Sequence, residues 1–223
     1  MLPRITPIAP KRIQAPFDHG EFVFELKMDG WRCVAYIENA ACRLVSRKQN
    51  QFKSFGALNA ALAKLPVENA IIDGEVVCLD ARGRSVFLDM RRRKGHSILY
   101  CFDLLWLNGE DLRNLPLVER KTRLKHLIRT SQNRSLLYAA HMERQGIRLF
   151  QAICQQDCEG MVGKYRRGTY AASPTSWVKI LNPNYSQMRG REEMFDRLGE
   201  RGEAAPASEL KEGPTPRARG AHV

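Results

Sequence analysis

The sequence predicts an α+β fold, with antiparallel β-sheets flanked by helices. Three observations lead there. Short runs rich in Val, Ile, Phe and Tyr recur along the chain and are divided by turn dipeptides such as Asp29-Gly30 and Asn108-Gly109. Helix-period segments fall between these runs without a strand–helix–strand rhythm, which argues against a doubly wound parallel sheet. Hydrophobic residues make up 43% of the 223, enough to bury a sizeable core.

The elements follow in order. Residues 1–20 hold four prolines and read as an extended lead-in. Strands are expected at Glu21–Met28, Arg32–Glu38 and Ala41–Ser46, separated by Asp29-Gly30 and Asn39-Ala40. Ser54 has the chemistry of an N-cap for a helix to about Leu65, and Pro66 lies just past its end. Ala70–Leu79 is the next strand and carries Asp73-Gly74 at its centre. Ser97–Leu107 is a strongly apolar strand. An amphipathic helix runs from Pro116 to about Arg129, with proline at its first turn. Leu136–Ala140, a helix near Glu143–Gln155, Gly160–Tyr165 and Trp177–Leu181 complete the series. Beyond about Phe195 the composition turns to Gly, Ala, Pro, Glu and Arg. The expected organisation is a lead-in at 1–20, one folded domain at 21–186 and a largely disordered tail at 187–223.

Lys and Arg total 36 against 24 Asp and Glu, a net charge of +12. The excess sits on residues 1–186, because the last 37 residues are balanced at seven basic and seven acidic. A basic body of this kind suits a polyanionic partner, since each neutralised phosphate releases counterions. No apolar run is long enough to cross a bilayer, and MLPRITPIAPKR lacks the apolar core of a secretory signal, so no membrane partner is expected. Six cysteines, most inside apolar runs, read as buried thiols of a reducing compartment, and cytoplasm is the expected location. Cys154 and Cys158 alone make no zinc signature.

No phosphate-cradling GxxxxGK[ST] loop is present; Gly160–Tyr165 has neither the spacing nor the Ser/Thr. The chemistry centres instead on Glu25-Leu-Lys27-Met-Asp29-Gly30-Trp-Arg32. Lys27 ends a strand and precedes a tight turn, a position that can aim an amine into a cleft. Desolvation or a neighbouring cation can make such an amine nucleophilic. Read alone, the same residue is a surface lysine beside a hairpin.

The octapeptide resembles the KxDGxR motif of the covalent nucleotidyltransferases, which include ATP-dependent DNA ligases, RNA ligases and mRNA capping enzymes. Further matches follow in order over residues 21–181: Ser46-Arg47, Asp73-Gly74-Glu75-Val76-Val77, Tyr100 to Gly109, Glu159-Gly160-Met161-Val162-Gly163-Lys164 and Trp177-Val178-Lys179. Cys101-Phe102-Asp103-Leu104-Leu105-Trp106-Leu107-Asn108-Gly109 is similar to a segment of DNA ligases, and the ELKxDGxR wording resembles bacterial ligases of the end-joining ligase D kind.

The resemblance implies the DNA ligase/mRNA capping enzyme nucleotidyltransferase fold and an ATP-dependent DNA ligase activity in repair or recombination, close to the bacterial nucleoid. It implies ATP, held as covalent AMP, with Mg²⁺ or Mn²⁺, and nicked or broken double-stranded DNA as partner. On the matching positions it makes Lys27 the nucleophile and gives Lys164 and Lys179 the charge of the α-phosphate. Glu25 would read the adenine edge, and Phe102 would stack on adenine. Arg32 and Arg47 would hold ribose and phosphates, or the 5′-phosphate of a nick. Glu75 would orient the ribose, and Glu159 would bind the metal.

Each has a plainer alternative. Phe102 inside an apolar strand is also a core residue, Arg47 beside Lys48 a solvated one, and Glu75 and Glu159 next to glycines are turn residues. Trp177 reads as packing and is left out of the site. Arg91, Arg92, Arg93 and Lys94 form a basic loop that either meets DNA phosphates or is simply solvated.

Two departures from the pattern stand out. The second lysine of the K-x-K pair is Leu181, which cannot neutralise a phosphate. No OB-fold domain is expected in the residues after Leu181, so either a separate polypeptide supplies that barrel or an end-joining function, or the chain is a decaying or truncated copy. Two other readings compete: RNA ligation or capping, against which the FDLLWLNG wording counts, and a non-catalytic nucleotide- or DNA-end-binding module, which Leu181 favours.

Overall fold

The tight turn at Asp29-Gly30 decides the architecture, because it carries the chain from one sheet to another. In the computed structural model, which describes residues 2–86, 89, 96–170 and 176–188, β2 (His19–Lys27) belongs to a five-stranded sheet and β3 (Trp31–Glu38) to a six-stranded one. Gly30 is required at the switch. A Cβ there would fall 2.3 Å from the carbonyl oxygen of Val76.

The five-stranded sheet runs β1 (Lys11–Arg12), β11 (Trp177–Leu181), β10 (Gly160–Tyr165), β2, β9 (His141–Arg144). The six-stranded path is β4 (Ala41–Ser46), β3, β5 (Asn69–Cys78), β6 (Ser97–Leu107) and β7 (Glu110–Asp111), with β8 (Leu136–Tyr138) also on β6. Most pairings are antiparallel, as the alternating strand composition predicts. Two short ones, β1 with β11 and β6 with β8, are parallel.

Among the described residues the main helices are α1 (Gly56–Leu62), α2 (Leu117–Ser131) and α3 (Gly146–Gln155). Apolar residues at helical spacing explain how they dock: α2 buries Leu117, Leu124 and Leu127, and α3 buries Ile153 against Phe24, Met161, Val178 and Ile180. A second cluster ties the two sheets together through Met28, Val34, Tyr100, Phe102, Leu105, Tyr170 and Trp177. Among the described residues no helix is long and apolar enough to cross a membrane.

Several local expectations need correction. Helix α1 begins at Gly56 with Phe55 rather than Ser54 at the N-cap position, and ends at Leu62. The helix expected from Glu143 starts at Gly146, because His141–Arg144 is drawn into β9 as an edge partner of β2. The lead-in is more engaged than its prolines indicate: Leu2 and Ile5 are buried and β1 pairs with β11. Three cysteines, Cys33, Cys78 and Cys101, are buried, whereas Cys42, Cys154 and Cys158 are partly exposed. The expected tail, apart from residues 187 and 188, lies outside the described residues, as does the basic stretch Arg91–Lys94.

Candidate active site

The two sheets leave a cleft of about 650 Å³, and strand register decides what faces it. On the first sheet Glu25, Val162 and Lys179 lie abreast on β2, β10 and β11, while Lys27 and Leu181 flank Gly160 one row away. Alternation of side chains puts Lys27 and Glu25 on one face of β2, and Lys179 and Trp177 on the matching face of β11. The second sheet contributes Trp31 and Arg32 from β3, Glu75 from β5, and Tyr100 and Phe102 from β6. Ser46, Arg47 and Lys48 at the end of β4 complete the basic rim.

Lys27 Nζ donates to Glu159 Oε2 at 2.6 Å, with Lys27 partly exposed and Glu159 buried. Glu159 precedes Gly160, where a Cβ would meet the carbonyl oxygen of Ile180 at 2.2 Å. Only glycine lets β10 pass that close to β11, and the passage brings Glu159 to the end of β2. Lys179 stands nearby. Burial depresses its pKa, and the charges of Lys27 and Arg47 depress it further against the pull of Glu159. Burial also raises Glu75, to about 7, against the opposing charges of Lys27 and Arg32.

Deeper in the cleft, Lys164 Nζ lies 2.7 Å from Glu25 Oε2. Lys121 Nζ lies 2.6 Å from Glu25 Oε1, on the other side of the carboxylate, an approach too poorly directed for a good hydrogen bond and therefore mainly an ion pair. All three side chains are buried, at 3% exposure or less. Burial pulls Lys164 down to about 8, against the attraction of Glu25.

Arg32 is committed to a buried network. Its Nε and Nη2 donate to the two oxygens of Asp73, each at 2.7 Å, and Tyr170 donates to Asp73 Oδ2 at 2.6 Å. A fork-on-carboxylate contact of this kind is geometrically specific. The guanidinium lies 4.5 Å from the centroid of Phe102, and Lys164 Nζ lies 4.4 Å from the same ring. Phe102 thus lines the cleft as a cation-covered ring.

Lys27, Lys164, Lys179, Glu25, Arg32, Arg47, Glu75 and Phe102 all line this one cleft. Glu159 joins them through Lys27. Trp177, set aside on sequence as packing, also lines it: its ring is edge-on to Phe102 at 6.0 Å and 4.0 Å from Lys164 Nζ. Sequence reasoning assigned no site role to Lys121, Asp73 or Tyr170, although Asp73 stands in the Asp73-Gly74-Glu75 match. The lysine at 121 falls on the amphipathic helix like any solvated one, and its burial is visible only after folding. The one available signal was its place beside Arg120 on the helix face that carries Leu117 and Leu124.

Comparison with known proteins bears on the family and the fold. The family model for the ATP dependent DNA ligase domain matches residues 1–180. The multifunctional non-homologous end joining protein LigD of Pseudomonas aeruginosa is 33% identical over 168 residues, which cover 72% of this chain and 20% of LigD. The ligase domain of Mycobacterium tuberculosis LigD superposes with a TM-score of 0.67 at 26% identity, covering 77% of this chain and 58% of that one. A mycobacterial DNA ligase D complexed with ATP and MES has a TM-score of 0.66 at 24% identity, covering 77% and 60%. This chain therefore spans about a fifth of the length of the Pseudomonas relative and under two thirds of the two solved chains.

Proposed function

The chain belongs to the ATP-dependent DNA ligase domain family, and on that premise we propose that it takes AMP from ATP on Lys27. The observation that carries this reading is the setting of Lys27: the end of β2, in a cleft that also collects Glu159, Lys179, Lys164 and Arg47.

The step is a phosphoryl-type displacement. The Lys27 amine attacks the α-phosphorus, an N–P bond forms, and the P–O bond to pyrophosphate breaks. Lys27 must first shed a proton and leave Glu159. Lys179 and Arg47 would hold the phosphates. Phe102 and Trp177 offer ring area for a base once Arg32 and Lys164 yield it. Glu75 would meet the ribose.

Among the described residues no group of three or more His, Cys, Asp or Glu could hold a metal by itself. A single buried carboxylate beside the nucleophile fits an ion that takes its other ligands from phosphate and water, as Mg²⁺ does and Mn²⁺ can. Glu159 would hold it, and when bound the ion supplies positive charge to the phosphates.

The later steps belong to the same proposal. AMP passes to the 5′-phosphate of a nick in double-stranded DNA, and the 3′-hydroxyl displaces it. Residues 21–186 form the adenylating body in this reading, with 1–20 as lead-in and 187–223 as tail. The end-joining role named for LigD suggests the setting of DNA break repair. One observation favours a non-catalytic reading: Leu181 occupies the row of Lys27, where the resemblance implies a second lysine. Intact-protein mass spectrometry after incubation with ATP and Mg²⁺ or Mn²⁺ separates the two. An added AMP on the wild type and none on Lys27→Ala supports the transferase. No adduct with either metal leaves the binding module.

A further inference from the structure

Glu25 has two oxygens and two lysine partners, and the partners come from different places. Lys164 lines the cleft and holds Oε2 at 2.7 Å. Lys121 reaches Oε1 from helix α2, buried at 1% exposure, and is itself anchored by donating to the carbonyl oxygen of Ala139 at 2.9 Å. Its ammonium also lies 4.7 Å from the centre of the Tyr138 ring. Lys121 is thus held on three sides from outside the cleft lining, whereas Lys164, which also donates to the carbonyl oxygen of Phe102 at 3.5 Å and lies over the Phe102 and Trp177 rings, is itself one of the residues lining the cleft.

We propose that Lys121 is a positioning residue for base recognition: it holds Glu25 ionised and oriented, so that Oε2 reads the exocyclic amino group of adenine when Lys164 turns to the phosphates. The inference rests on the reading of the cleft as an ATP site. Its physical basis is the cost of an unpaired buried charge. If Lys164 were the sole partner of Glu25, its departure would strand a carboxylate at 2% exposure. Burial alone pushes the carboxyl up, and the pull of Lys121 followed by that of Lys164 overrides it and holds Glu25 below the usual range. A carboxylate that stays ionised accepts and does not donate. It therefore pairs with the 6-amino group of adenine and repels the 6-oxo group of guanine.

The same carboxylate explains why a lysine rather than an apolar residue is buried on α2. With an apolar side chain at 121, Glu25 would either keep Lys164 or take up a proton. Either outcome removes the acceptor facing the base, and neither requires the fold to change.

Calorimetric binding of ATP and of GTP, measured on Lys27→Ala so that no covalent adduct forms, tests this. With Lys121 intact, ATP should bind more tightly than GTP. Adding Lys121→Met should erode that ratio by about tenfold or more, because discrimination through a buried acceptor is lost with it, and Lys121→Arg should restore most of it. A merely structural lysine would lower the melting temperature, or weaken both nucleotides alike, and leave the ratio unchanged; that result overturns the inference while the ATP site stands. Failure of the Lys121-intact protein to bind either nucleotide overturns both. Should Lys121→Met fail to fold, combining it with Glu25→Gln removes both charges, and a retained adenine preference in that pair likewise overturns the proposal.

Discussion

Lys27 Nζ and Glu159 Oε2 stand 2.6 Å apart, joined across 132 positions of sequence by the pairing of β2 with β10. The amine proposed to attack is therefore held by the carboxylate proposed to hold the metal. The two roles would be compatible if Glu159 released Lys27 on holding the ion. Glu159→Gln should accordingly slow AMP-adduct formation on the order of 100-fold, the usual scale for losing one charge-stabilising group at a transferring phosphoryl. It should also flatten the response to Mg²⁺ concentration. A time course of adduct mass across a Mg²⁺ series measures both. An unchanged rate with unchanged Mg²⁺ response would reduce Glu159 to a structural partner.

Glu75 ties the cleft to pH. Burial raises its carboxyl to about 7, above the ordinary value of 4.5. Between those two values the folded protein binds the proton more tightly than the unfolded chain does, so stability falls as pH rises through that window. The stabilising effect is complete below about 4.5 and gone above about 7. Glu75→Gln lacks this dependence. Its melting temperature relative to wild type should therefore be higher at pH 8 than at pH 5, by about a few degrees. Thermal melts of both proteins at the two pH values decide it, and an equal offset at both contradicts a raised Glu75.

Lys164 titrates in the opposite sense. Burial lowers it to about 8, so its charge is lost as pH climbs past that point. ATP phosphates are fully ionised there, and the protein loses a cation proposed to face them. The dissociation constant of ATP, read on Lys27→Ala, should rise steadily from pH 8 to pH 9.5. A flat profile over that range would mean that Lys164 does not meet the nucleotide as a cation.

Much of this site was legible in the sequence because its residues sit at strand ends and turns, where the chemistry is local. Lys27 before Asp29-Gly30 and Glu159 before Gly160 each carry their context within a few positions. Strand period two puts Trp177 and Lys179 on one face, a signal that could have drawn Trp177 into the site. What was not legible depends on pairings far apart in sequence. Asp73 sits in a motif-like Asp-Gly-Glu run, yet its partners, Arg32 and Tyr170, are 41 and 97 positions away. Lys121 needed both α2 and β2 in place before its burial meant anything. The fold boundaries that slipped, Ser54 and Glu143, did so where the actual start of α1 and the edge pairing of β9 outweighed local helix signals.

Leu181 is the sharpest test of how far the chain can act. It follows Lys179 by two residues on β11, so both project to one face, and it pairs with Gly160, which in turn pairs with Lys27. The branched side chain there is half-buried and apolar, beside a cleft that Lys27, Arg47, Lys48 and Lys179 line. Leu181→Lys places an ammonium on the row of Lys27. The strand alternation is unaltered, and a long side chain can carry its charge out to the phosphates while its stem covers apolar surface. Adduct formation should quicken by about tenfold, a modest share of what a cation at a developing phosphoryl charge can supply. The comparison is the single-turnover rate of AMP transfer at saturating ATP for wild type and variant. If the variant is no faster, the present cations already satisfy the α-phosphate, and Leu181 is an accommodated replacement and not a deficit. If neither protein adenylates and both bind ATP, the missing lysine is not what limits the chain.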